Sequence, residues 1–522
     1  MMKQKRNNVP PWILDTSAMP HFIRIPVVLI TLLLQIPTIS ADEVPIRLDG
    51  RRELFVDTHL IETKAGSIEL TLHHPRPREV ALTFDRPWEG NTSGYPTVMH
   101  DGEVYRMIYR GHRMSWDSGK LLMANSPVVC YAESTDGIRW NRPELNIVKW
   151  QGKDRDKLSS PTSNNIVWGG SPYSGTFVPF EDHNPACKPT ERFKAVGGNH
   201  KVGLHLFTSQ DAIHWTKSEG PIFLEGALDS MNTLFWDSLR DRYVLYFRTV
   251  RNGLRSIDQV HSKDLKLWSS PKPLTYGGSP PQQMYTNGIA PYYRAPHIML
   301  GFPTRYTARS LTAKLKLLPP VSLRKELGDA YPRIASDLSD GLFMATRNGH
   351  DFHRWDEAFI RPGRETPSAP SNWMYGDNYQ GYGLFPTLDE NGLEEISFLV
   401  SHGYWQEYKS YLRRYSIRPD GFVSLQGKFD GGEVVTKAFT FTGKNLQINY
   451  STSAAGSVRI EVQDHEGSPF SGFALTDCVE LIGNRLDQTV SWKGGSPNQF
   501  AGMPIKLRIV LKDADLYSFR FK

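Results

Sequence analysis

Five polar residues recur at one kind of place in this chain, just before or at the start of a short apolar strand: Glu89, Asp182, Asp229, Asn287 and Asp377. Four are carboxylates. Carboxylates gathered around one axis repel one another, so their pKa values separate and one stays protonated as an acid while another serves as ionised base or nucleophile. That division of roles is the equipment of glycosidic bond cleavage. Each Asp by itself also suits a turn in which the carboxylate binds its own backbone; the recurrence points to a site.

Aromatic residues accompany these positions: Trp88, Tyr95, Tyr285, Trp373, Tyr375, Tyr379 and Tyr382. Sugar rings present apolar faces that pack on aromatic planes, although any β protein also uses such residues as core. The segment Trp373-Met-Tyr-Gly-Asp-Asn-Tyr-Gln-Gly-Tyr382 is dense enough in polar and aromatic groups to form a binding wall. Arg305 and Arg347 could contact hydroxyls or acidic sugar groups, and both also suit structural ion pairs. Glu89, Asp182 and Asp229 are therefore the expected catalytic set. Trp88, Tyr95, Tyr285, Asn287, Arg305, Trp373, Asp377 and Tyr382 are the expected substrate contacts. No metal-ligand spacing of histidines is present, so no cofactor is expected, and zinc least of all. Calcium needs oxygen ligands, which these carboxylates could offer, but no loop spacing declares it. His183, beside Asp182, is a candidate orienting partner.

These residues need elements that bring them to one point from distant parts of the chain. Ser134-Thr-Asp-Gly-Ile-Arg-Trp140 returns as Ser209-Gln-Asp-Ala-Ile-His-Trp215, as Ser262-Lys-Asp-Leu-Lys-Leu-Trp268, as Thr346-Arg-Asn-Gly349 with Trp355, and as Arg418-Pro-Asp-Gly-Phe422. Two short apolar strands precede each copy, and Asp-Gly supplies the positive φ of a tight hairpin. One small sheet cannot bury both faces, whereas five stacked radially can. The expected fold is all-β, a five-bladed β-propeller over residues 42–428. Arg52-Glu-Leu-Phe-Val-Asp57 is expected to enter the first blade and close the last.

From 429 to 522 clean alternations such as Leu446-Gln-Ile-Asn-Tyr450 and Ile505-Lys-Leu-Arg-Ile509 mark a β-sandwich of half-buried strands. The best helical stretch is Ser310–Leu318, before Pro319-Pro320. With 61 Lys and Arg against 55 Asp and Glu and no basic stripe, nucleic acid is not an expected partner. Residues 1–41 read as an export leader: Arg24 precedes an apolar run too short to span a bilayer comfortably, with Ser40-Ala41 as a cleavage site. A secreted, periplasmic or cell-surface protein is expected, or one retaining an N-terminal membrane anchor. Cys130, Cys187 and Cys478 fit no zinc pattern and read as buried small hydrophobes.

The repeated hairpins, the Pro96-Thr-Val opening with Tyr105-Arg-Met-Ile-Tyr109, and Asp229-Ser-Met-Asn-Thr-Leu-Phe-Trp236 resemble the five-bladed propeller glycoside hydrolases of families 32, 43, 62 and 68. Gly467-Ser-Pro-Phe-Ser-Gly-Phe473 through Leu516-Tyr-Ser-Phe519 resembles the β-sandwich that trails many of them. The resemblance implies three carboxylates from different blades, acting as general acid, nucleophile or base, and transition-state stabiliser; by blade position they are Glu89, Asp182 and Asp229. Where family 43 places its basic Asp before Pro, this chain has Tyr95-Pro96. The expected function is an exported glycoside hydrolase acting on a poly- or oligosaccharide. Its rivals are a non-catalytic carbohydrate-binding propeller and a propeller glycoside phosphorylase.

Overall fold

Each apolar strand pair and its hairpin builds one blade. In the computed structural model, which describes residues 44–117, 120–150, 163–364, 371–407 and 409–522, the first blade is Gly94–His100, Tyr105–Gly111, Val128–Ser134 and Ile166–Gly169. The second is Val178–Glu181, Phe193–Asn199, Gly203–Ser209 and Thr216–Phe223. The third is Thr233–Asp237, Arg242–Arg251, Leu254–Ser262 and Lys272–Pro273. The fourth is Ala290–Tyr292, Ala295–Gly301, Met344–Thr346 and His353–Arg354. Phe385–Leu388, Glu394–His402, Tyr411–Ile417 and Arg76–Thr83 make the fifth.

The recurring motif is the turn between the third and fourth strands. Ser134 Oγ accepts the Gly137 N–H at 2.9 Å, and Asp136 Oδ1 accepts the N–H groups of Ile138 and Arg139 at 2.8 Å. The Ser209-Asp211 and Ser262-Asp264 turns repeat this geometry, and Thr346-Asn348 repeats it with longer bonds. The left-handed position falls on Gly137 and Gly349 in two copies but on Ala212 (φ 65°) and Leu265 (φ 61°) in the others. The carboxylate bonds hold these two side chains where glycine would be easier. Both faces of a blade are covered by its neighbours, so strands such as Tyr243-Val-Leu-Tyr-Phe247 are apolar on successive positions and buried throughout.

Three expectations change. The ring closes on an N-terminal strand, as expected, but the strand is Arg76–Thr83, paired with Tyr411–Ile417. Glu53–Leu54, in the stretch expected to do this, pairs instead with Phe519 and Ser518 of the C-terminal strand. The division at 428/429 cuts through one continuous strand, Val423–Thr436, which pairs with both Ile61–Leu72 and Lys506–Phe521. The sandwich therefore takes strands from both ends of the chain, and Pro45–Lys522 is one compact unit. Its long strands Val423–Thr436 and Leu446–Gln463 break register mid-length, and both halves feed one core that includes Leu425, Val434, Ile448 and Ile460. The principal helix is Val321–Ala330, beyond the two prolines, with only Ala313–Lys316 helical in the stretch before them. The leader expected over 1–41 lies outside the described residues.

Candidate functional site at the start of the inner strands

In each blade the second strand runs antiparallel to the inner strand, so its last residues come alongside the inner strand's first. Arg110 pairs opposite Gly94, and Arg248 lies two positions past Tyr246, which pairs opposite Thr233. Both arginines thus reach the end of the funnel where the inner strands begin. Asp229 stands just before Thr233 at that same end, with its side chain 54% exposed and ion-paired to Arg248.

Tyrosines fill the rest of this face. Arg110 lies over Tyr95 at 4.6 Å, Arg248 over Tyr285 at 4.9 Å, Arg255 over Tyr306 at 4.5 Å and Arg333 over Tyr375 at 4.8 Å. Guanidinium planes stacked on phenol rings are held in fixed orientations. The hydroxyls of Tyr375 and Tyr285 share one hydrogen bond of 2.6 Å, so one of the two protons has no acceptor among the described residues. Tyr404 receives a 2.7 Å bond from Arg110, whose Nη2 also donates to the Thr92 carbonyl at 2.6 Å. Tyr95 (φ 54°) and Asn378 (φ 62°) both hold left-handed backbone here. Over one side, the hairpin Met114–Asp117 and Lys120–Met123 packs on the helix Val321–Ala330, with Trp116 Nε1 donating to Glu326 at 2.5 Å.

The three carboxylates expected to act together are not brought together. Asp182 follows the inner strand Val178–Glu181 and so sits at the opposite end of the funnel, where it pairs with Lys194 at 2.7 Å and accepts from the Tyr243 hydroxyl at 2.8 Å. Glu89 is 0% exposed. Both its oxygens are consumed by Arg142, the Tyr109 hydroxyl and the Arg86 N–H. Burial raises its pKa, working against the pull of Arg142.

Of the expected substrate contacts, Tyr95 and Tyr285 lie in the tyrosine-arginine cluster. The others lie elsewhere. Trp88 is core, bonded to Asn165 at 2.9 Å. Asn287 ties two blades together, accepting from Thr233 and donating to the Met231 carbonyl. Arg305 is locked on Asp340 and the Asp356 carbonyl, as Arg347 is on Glu53 and Asp57. Trp373 lines a separate recess with Arg309 and Leu315, its Nε1 bonded to the Gly363 carbonyl. Asp377 is 0% exposed; its carboxyl, pushed up to about 8 by burial, accepts the N–H groups of Met374 and Tyr404 and so fixes the loops that carry Tyr375 and Tyr404. Tyr382 and the exposed His183 line a cavity of the central channel that opens toward the far end, with Thr97, Glu181 and His100. Cys130 and Cys478 are buried, but Cys187 is half-buried with its Sγ 3.1 Å from Lys194 Nζ, so it is not a core hydrophobe.

Sequence reading missed Arg110, Arg248, Arg255, Tyr306, Arg333 and Tyr404. Arg110, Arg248 and Arg255 lie inside strands, where only the register shows which end they reach.

No protein-family model and no characterised protein sequence matches the chain. Similar solved structures include one described as a glycoside hydrolase (12% identity, 66% of this chain and 93% of that one, TM-score 0.41). Another belongs to the GH130 family of mannoside phosphorylases, which contains glycoside hydrolases that target beta-1,2 mannosidic linkages in Candida mannan (15%, 67% and 95%, 0.40). A third is a Bombyx mori GH32 beta-fructofuranosidase (10%, 85% and 94%, 0.37).

Proposed function

We propose that this chain is a carbohydrate-active propeller of the glycosidase class, with its site where the inner strands begin. The observation that carries the reading is the open carboxylate of Asp229 beside a surface of stacked tyrosines and arginines. Phenol rings offer planes for the apolar faces of a sugar, and guanidinium groups donate to its hydroxyls. Asp229 takes the base or nucleophile role. The proton left over in the Tyr285–Tyr375 hydroxyl pair is available to a departing oxygen, a general-acid role open to tyrosine. The leader read over 1–41 would export such an enzyme to meet its glycan.

A non-catalytic sugar-binding propeller is the second reading. It is favoured by one observation: Glu89 and Asp182 do not share the opening of Asp229. A screen of the purified chain from Asp42 onward on aryl glycosides and polysaccharides separates the two. Sugar release that is abolished by Asp229→Asn, with thermal unfolding still cooperative, is the expected result. Sugar binding without release would move the assignment to the second reading. Undiminished release by Asp229→Asn would place the chemistry elsewhere.

A further inference from the structure

Arg248 is 6% exposed, yet its Nε and Nη1 are buried with no hydrogen-bond partner among the described residues. Its Nη2 is held by Asp229 and its plane by Tyr285, so the two unsatisfied nitrogens are fixed in orientation. A buried guanidinium with vacant donors costs free energy that a bound acceptor would recover. The neighbours repeat the pattern. Arg110 Nε and Arg333 Nε are also buried without a partner, and Arg255 spends Nη1 on Gln283 at 2.6 Å. None of Arg110, Arg255 and Arg333 forms an ion pair with a carboxylate among the described residues, whereas Arg305 and Arg347 elsewhere in the propeller both do. Against four guanidinium groups, Asp229 is the one carboxylate among the described residues that pairs with any of them, and Asp337 is occupied by the Tyr306 hydroxyl. The cluster therefore carries more guanidinium than carboxylate among the described residues, and each guanidinium lies over a tyrosine ring.

We propose that Arg248, with Arg110 and Arg333 in the same tyrosine cluster, is the seat of an oxyanion: the carboxylate of an acidic sugar within the substrate, or free phosphate. Planar, two-pronged donors suit both, and a desolvated site raises the value of each charge-assisted bond. The sugar-borne source rests on the carbohydrate reading above; the oxyanion seat itself does not.

The test is calorimetric titration of the full chain, as wild type, Arg248→Gln and Arg333→Gln, with three probes. These are a galacturonic-acid trisaccharide, its carboxyl-reduced neutral counterpart, and inorganic phosphate. The acidic saccharide is expected to bind at least about tenfold more tightly than the neutral one, the equivalent of one charge-assisted bond. Arg248→Gln should erase that preference, and Arg333→Gln should reduce it; the second variant decides the matter if the first fails to fold. Phosphate binding that depends on Arg248, with no saccharide bound, would uphold the seat, assign it to free phosphate and leave the carbohydrate reading to the glycoside and polysaccharide screen. Equal binding of acidic and neutral saccharides would overturn the seat and leave the carbohydrate reading standing. A preference that survives both substitutions, or no binding of any probe, would also overturn the seat.

Discussion

Asp229 and Glu89 carry the same functional group into opposite surroundings, and their surroundings decide what each can do. Asp229 has one ion pair and an open side chain, so a ligand can reach it. Glu89 is enclosed by Tyr109, Arg142 and the Arg86 N–H and has no lone pair directed at solvent. Removing one partner of a buried ion pair leaves the other charge uncompensated, at about 3–5 kcal/mol. Glu89→Gln is therefore expected to lower the unfolding free energy by about 3 kcal/mol and with it the denaturation midpoint, while Arg142 keeps the half-exposed Asp85 and the Thr83 carbonyl as partners. Urea unfolding checks this; an unchanged midpoint together with lost turnover would return Glu89 to the catalytic set. From sequence the two acids looked alike, because each precedes a strand. What separates them is that Glu89 is fully buried while Asp229 is half exposed, and a one-dimensional pattern does not record depth.

The hairpin is the element that repeats, and its fifth copy shows how a repeat is diverted. In the first three copies the carboxylate closes its own turn. In Arg418-Pro-Asp-Gly421 the Asp420 carboxylate turns away to accept from Tyr292, Arg294 at 2.9 Å and Ser518, and pairs with Arg52 at 3.1 Å. It thereby joins the last blade to the strands of the sandwich. Burial would raise its pKa, but Arg294 and Arg52 outweigh this and hold it below the usual carboxylate range; Glu53 is lowered likewise, against burial, by His297 and Arg347. A carboxyl whose folded pKa is depressed contributes stability that is fully present above its unfolded pKa and is lost as pH falls through the folded value. The melting temperature should accordingly fall steeply as pH drops below the ordinary carboxylate range. Asp420→Asn should melt lower at neutral pH and show a shallower acid slope; parallel curves for the two proteins would remove Asp420 from this role. The strand and hairpin signals were legible in sequence because turn chemistry is local. The insert in the fourth blade was not, since proline ends one helix as readily as it opens the next, and Pro320 stands at the start of Val321–Ala330.

At the scale of the molecule, the propeller could be read from repeats, while the strand that closes its ring and the exchange of strands between the two ends of the chain could not. Ile61–Leu72 has no turn signal tying it to Val423–Thr436, more than three hundred residues away. The site shows the same division. Tyr95 and Tyr285 were visible as aromatics near strand starts, but the arginines that stack on them are located by strand direction and register. The central claim is that ligand enters where the inner strands begin and not at the far mouth by His183 and Glu181. The most direct test is a crystal structure of the Asp229→Asn chain bound to the saccharide that the screen identifies. The account predicts the sugar packed on Tyr285 and within hydrogen-bond reach of Arg248. A sugar seated instead among His100, Glu181 and His183 would contradict it.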